Sequence, residues 1–150
     1  MSEKERADRH EIRKIVDDYA LFADRIDNEA LAGLFAPEGI LRIFERGNSE
    51  PVRQRIGQSE IAEAIKGLSR YDVTLHVVSN HYVEIDGDIA TGESYCRASH
   101  IRAVEGGAPE ERENYVMNIR YLDDFIRTTE GWRIAKRELQ VEFTEVFPIL

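Results

Sequence analysis

Apolar residues recur at helical spacing near the start of the chain and at strand spacing towards its end. Ile12, Ile15, Val16, Tyr19, Ala20 and Ala23 follow the i, i+3, i+4, i+7 pattern of one buried helical face, which predicts a helix from about Glu3 to Ala23. A second, shorter helix is expected after Asp27 or Asn28, either of which can cap it. It would carry Leu31, Leu34 and Phe35 and stop at Ala36-Pro37-Glu38-Gly39, where proline and glycine break the pattern. Ile40 to Phe44 reads as a short strand, and the polar, turn-rich stretch Glu45–Gly57 as a loop or irregular hairpin. Ser59 is the expected N-cap of a third helix, with Ile61, Ala62, Ala64, Ile65 and Leu68 as its apolar positions.

From Val73 onward the pattern is that of strands. Val73–Ile85 ends at the tight-turn signal Asp86-Gly87-Asp88, and Ile89 to about Val104 follows. A loop from Glu105 to Arg112 leads to Glu113–Arg127, Thr128 to Gly131 turns the chain again, and Trp132 to about Phe143 is the last strand. Helices first and hairpin-linked strands afterwards define an α+β fold with an antiparallel sheet, not alternating βαβ units. Strands of this length twist strongly. Such a sheet wraps over the helices as a cone with an open mouth, where a small, largely apolar molecule can bind. No repeat or linker divides residues 1–150, so a single domain is expected.

Composition narrows the partners. Hydrophobic residues make up 42% and charged residues 33%, as in ordinary globular chains, and the net charge is −9 with no basic segment. Both a nucleic-acid backbone and an anionic membrane would be repelled overall. No run approaches the roughly 20 apolar residues of a membrane span. The N-terminal stretch has no apolar core of a secretory signal, and Cys96 is the only cysteine, so a cytoplasmic protein without a disulfide framework is expected.

Three ionisable groups stand out. On an ideal helix centred on Ile12, Tyr19 lies within the buried face and Asp24 at its margin. Asp24 alone also fits a residue that fixes the turn between helices or pairs with Arg25. His76 opens an otherwise apolar strand, Thr74-Leu-His76-Val-Val-Ser-Asn80, where a satisfied core histidine is the ordinary reading. Should the two meet, the carboxylate would fix the imidazole tautomer and raise its basicity, making His76 a general base. Tyr19 would then polarise a substrate oxygen. His100 shares a strand face with the small residues Ala90, Gly92, Ser94, Cys96 and Ala98, which leave room either for a ligand or for close packing. Asn118 and Arg137 join His100 as candidate substrate-binding groups. His76 and His81, five apart on a strand, point to opposite faces unless a bulge intervenes. With no metal-ligand spacing, P-loop, nucleophile elbow or dinucleotide motif, neither a metal nor another cofactor is expected.

Three stretches carry a family resemblance: Tyr19-Ala-Leu-Phe-Ala-Asp24 with Leu31, Leu34 and Phe35; Thr74 to Asn80; and Tyr121-Leu-Asp-Asp-Phe125-Ile-Arg127 with Gly131-Trp-Arg-Ile-Ala135. Together they make the chain resemble the SnoaL-like proteins of the nuclear transport factor two-like superfamily over nearly its whole length. It looks similar to the bile-acid dehydratases, the scytalone dehydratases and the hexachlorocyclohexane dehydrochlorinase. The resemblance implies a cone-like α+β barrel, cofactor-free elimination or isomerisation, and a homodimer or homotrimer. It also places the family's His–Asp base on His76 and Asp24, its tyrosine on Tyr19 and a second histidine near His100. The arginine that completes the site in some relatives has no equivalent, Arg127 and Arg137 being nearest. The same fold also serves non-catalytic binding and protein-interaction roles, so the His–Asp pair is the argument for an enzyme.

Overall fold

The computed structural model describes residues 1–150. Helix α1 (Glu3–Arg25) starts where the Ser2 hydroxyl accepts the Glu5 amide hydrogen, and its buried residues Ile12, Ile15, Val16, Tyr19, Ala20 and Ala23 are those of the expected stripe. It ends at Ile26, whose φ of 53° is left-handed, a conformation a β-branched residue adopts only under constraint. That stop comes two residues after Asp24, so the carboxylate sits on the last helical turn just where the chain reverses.

Helix α2 (Asn28–Ala32) is capped by Asp27 but is shorter than expected. Leu34 and Phe35 do not extend it. Phe35 instead begins β1 (Phe35–Glu45), pairs with Ile134 and is fully buried against Tyr19. The breakers Pro37 and Gly39 fall in a bulge inside this strand, between the Phe35 and Ile40 pairings, where a proline need not donate a ladder hydrogen bond. The polar stretch expected as a loop contains β2 (Arg53–Ile56), paired antiparallel to β1. Helix α3 (Gln58–Lys66) is capped by Gly57 at φ 86°, not by Ser59. Glu60 reaches back to the Ile56 amide, leaving Ser59 inside the helix. Leu68 follows in a 3-10 turn, Gly67–Arg70.

Four long strands complete the sheet: β3 (Val73–Asp86), β4 (Ile89–Ala103), β5 (Arg112–Thr128) and β6 (Gly131–Ile149). The order is β2-β1-β6-β5-β4-β3. All pairs are antiparallel except β1–β6, which is parallel, so the curved, unclosed sheet is mixed. Strand β6 runs on beyond Phe143 as a partner of β5, so the apolar tail extends the sheet. The helices pack against the concave face, and the main core joins the α1 stripe to Cys96, Ala98, Ile119, Tyr121, Phe125, Trp132 and Ile134. No helix is long and apolar enough to cross a membrane.

One polar knot fastens α1 to the β5–β6 turn. Asp8 accepts two hydrogen bonds from Arg127 at 2.8 Å and one from the buried Trp132 indole at 3.1 Å. Those bonds hold its carboxyl down to about 2. A depressed carboxyl stabilises the fold fully above its unfolded value near 4, and that contribution disappears as pH falls through about 2. Asp8→Asn should therefore lower the melting temperature at pH 7 more than at pH 3. An equal loss at both pH values would show that the charge of Asp8 does not matter.

Candidate active site

Asp24 and His76 come together at the junction of α1 and β3. The imidazole Nδ1–H donates to Asp24 Oδ1 at 2.6 Å, the backbone N–H of His76 donates to Oδ2 at 3.0 Å, and the Thr74 hydroxyl donates to Oδ1 at 3.0 Å. Burial pushes the Asp24 carboxyl up, but these bonds and the adjacent imidazole outweigh it and hold the group below its ordinary value. Asp24 is therefore an anion at neutral pH and only accepts hydrogen bonds. In the neutral imidazole this contact holds the proton on Nδ1 and leaves the lone pair on Nε2.

His76, Tyr19 and His100 all line one cavity of about 160 Å³ whose wall is mostly apolar: Ala23, Leu41, Ile43, Ala64, Ile65, Leu68, Met117, Ile119 and Leu139 contribute to it. The His76 and His100 rings lie 5.8 Å apart, edge to face. His100 is 3% exposed, and its Nδ1–H donates to the Tyr115 carbonyl at 2.9 Å. Burial lowers its pKa against the pull of that carbonyl, so it is neutral at pH 7 and presents Nε2 as an acceptor. Tyr19 is buried, and burial raises its phenol pKa despite the opposing charge of Arg137, so it stays a protonated donor. The room thus brings two imidazoles and a phenol together in a mostly apolar wall.

The other expected residues occupy different places. Arg137 is fully buried beneath the cavity, bound to Asp123 by two 2.8 Å bonds, with its guanidinium 4.2 Å from the Tyr19 ring centroid and 3.9 Å from that of Tyr121. It carries the tyrosine and does not line the cavity. Asn118 lies away from the cavity, bonded to Arg97 and Glu145, because strand alternation turns it to the face opposite Met117 and Ile119, which line the wall. The small residues of β4 mostly serve close packing: a Cβ on Gly92 would sit 2.9 Å from the Phe125 ring. A bulge between Val78 and His81 does turn His81 to the same face as His76, against simple alternation.

Among the wall residues that the sequence did not single out are the polar or aromatic groups Arg53, Arg55, Arg70 and Tyr71. The alternation Arg53-Gln54-Arg55 was the signal, since in a strand it sets two arginines on one side.

Residues 4–138 match the SnoaL-like domain, and the chain belongs to that family. It is 27% identical over 139 residues to the uncharacterized protein Rv2910c of Mycobacterium tuberculosis, covering 91% of this chain and 87% of the relative. A candidate scytalone dehydratase from Novosphingobium aromaticivorans superposes with a TM-score of 0.82 at 20% identity, over 100% of this chain and 94% of that one. The hexachlorocyclohexane dehydrochlorinase LinA-type3 of Novosphingobium barchaimii does so with a TM-score of 0.78 at 16% identity, over 97% and 94%. The shared architecture is the cystatin-like, nuclear transport factor two-like fold.

Proposed function

We propose that this protein is a cofactor-independent lyase or isomerase acting on a small cyclic hydroxylated or carbonyl compound. The observation that carries the reading is the 2.6 Å Asp24–His76 bond at the wall of an apolar cavity. His76 Nε2 takes a proton alpha to a carbonyl, Asp24 stabilises the imidazolium, and the Tyr19 hydroxyl donates to the oxygen that gains charge. Loss of a β-hydroxyl as water completes a dehydration, and return of the proton to another carbon completes an isomerisation. The dehydratase and dehydrochlorinase names among the structural neighbours describe eliminations of this kind. A non-catalytic binding module of the same fold would leave Asp24 and His76 free to part, or fill the cone with side chains.

A cavity of about 160 Å³ takes one six-membered ring, since an apolar cavity of roughly 150 Å³ accommodates benzene. The test follows from that size. Incubated in D₂O with cyclohexanone and 3-hydroxycyclohexanone, the protein should accelerate exchange of the alpha protons and release of water, both followed by NMR. Rates equal to those of buffer with both compounds and their aromatic analogues would leave the pair without a chemical role.

A further inference from the structure

Resting on that reading, we infer that the molecule entering the cavity carries an anionic group, a carboxylate or a phosphate, bound at the mouth by Arg53, Arg55 and Arg70. These three arginines line the same cavity as Tyr19, His76 and His100. The wall contains no aspartate or glutamate, although the chain has 29 acidic residues against 20 basic ones and a net charge of −9. Elsewhere most arginines answer that excess directly, although Arg6, Arg25, Arg42 and Arg46 have no carboxylate partner either. Arg97, Arg102, Arg112, Arg120, Arg127 and Arg137 each lie within ion-pairing distance of a carboxylate.

The mouth arginines have no such partner. Arg55 bonds only to the Gln54 carbonyl, and Arg70 is held in place by the Gly67 carbonyl and the Tyr71 hydroxyl, with its guanidinium 4.7 Å from the Tyr71 ring centroid. Both retain donors for another acceptor, and Arg53 makes no side-chain bond that would satisfy it within the protein. Like charges gathered at one rim repel one another, a cost that a bound anion relieves. Guanidinium groups also suit carboxylate and phosphate oxygens through paired N–H donors.

The geometry separates two ends of the ligand. Arg53 and Arg70 also line an outer cleft of about 510 Å³, which shares Ile43, Tyr71, Met117 and Leu139 with the inner room. The outer cleft has carboxylates of its own, Glu45 and Glu142, and Glu142 lies 3.8 Å from Arg120. A ring seated against His76 and Tyr19 would therefore hold its charged substituent at the arginines, outside the apolar wall. That contact fixes which ring carbon meets Nε2.

Calorimetric titration with benzoate, phenyl phosphate, benzamide and inorganic phosphate tests the inference without a known substrate. Benzoate or phenyl phosphate should bind about tenfold or more tightly than benzamide, and the preference should shrink as salt is raised. A tighter benzoate identifies a carboxylate ligand, and a tighter phenyl phosphate a phosphate ester. The combined R53Q/R55Q/R70Q variant should lose that preference while binding benzamide as before. His76→Ala should keep it, so an inactive catalytic pair and an absent anion site give different results. Equal affinity for benzoate and benzamide, no measurable binding of any ring compound, a preference that survives in the triple variant, or inorganic phosphate binding as tightly as phenyl phosphate would each overturn the inference.

Discussion

His76→Ala is expected to lower turnover of any substrate found for this protein by about 10²–10⁴-fold, the usual contribution of a positioned general base. The fold should survive. Asp24 would still accept from the Thr74 hydroxyl and from the backbone N–H of residue 76, both of which hold it independently of the imidazole. Loss of the Nδ1–H bond alone should cost about 1–3 kcal/mol. Circular dichroism and a melting curve would separate this from unfolding. Asp24→Asn is the more informative companion. An amide can donate to Nδ1, which moves the imidazole proton to Nε2 and removes the lone pair that the proposed base needs. Both variants should therefore lose kcat, whereas their affinity for a ring compound should change little. Wild-type turnover in His76→Ala would exclude His76 as the base, whatever the other variant does.

Why such a pair is hard to see from sequence is a matter of distance along the chain. Asp24 ends a helix and His76 opens a strand, 52 residues later, and no local pattern links them. The helical stripe placed Asp24 at the edge of the buried face, and the family resemblance paired it with His76. Neither supplied the Thr74 hydroxyl or the left-handed Ile26 that end the helix in register with β3. Strong periodicity was readable wherever packing agrees with it: the α1 stripe and the four long strands are where the apolar spacing puts them. Errors came where a bulge breaks the count. Leu34 and Phe35 keep helical spacing with Leu31, yet Phe35 is recruited by Ile134 into a strand that bulges around Pro37 and Gly39. The same kind of irregularity turned His81 to the face of His76, whereas Asn118 lies off the cavity by plain alternation, between Met117 and Ile119 of the wall. Arg53 and Arg55 were hidden because a two-sided polar strand at a sheet edge looks like a loop until its partner β1 is known.

Removing the partner of Arg137 should destabilise the protein more than removing any group at the cavity surface. Arg137 is 0% exposed, and burial opposes its charge, but Asp123 more than restores it through two 2.8 Å bonds. Asp123→Ala leaves that cation unpaired between the Tyr19 and Tyr121 rings, with its Nη1 still lacking an acceptor. The expected cost is about 3–5 kcal/mol, read as a lower urea midpoint with little change in slope. A paired replacement, Asp123→Leu with Arg137→Met, removes both charges together and should recover most of that loss, because neither ion then has to be desolvated. Function should not recover with it. The guanidinium supports the face of Tyr19 at 4.2 Å, and a flexible methionine holds an aromatic ring less firmly, so the phenol would lose its fixed aim at the cavity. A stable double variant with reduced turnover assigns the buried pair to positioning Tyr19. Full turnover in that variant would reduce Arg137 to a purely structural residue, and a cost below about 1 kcal/mol for Asp123→Ala would mean that water reaches the guanidinium.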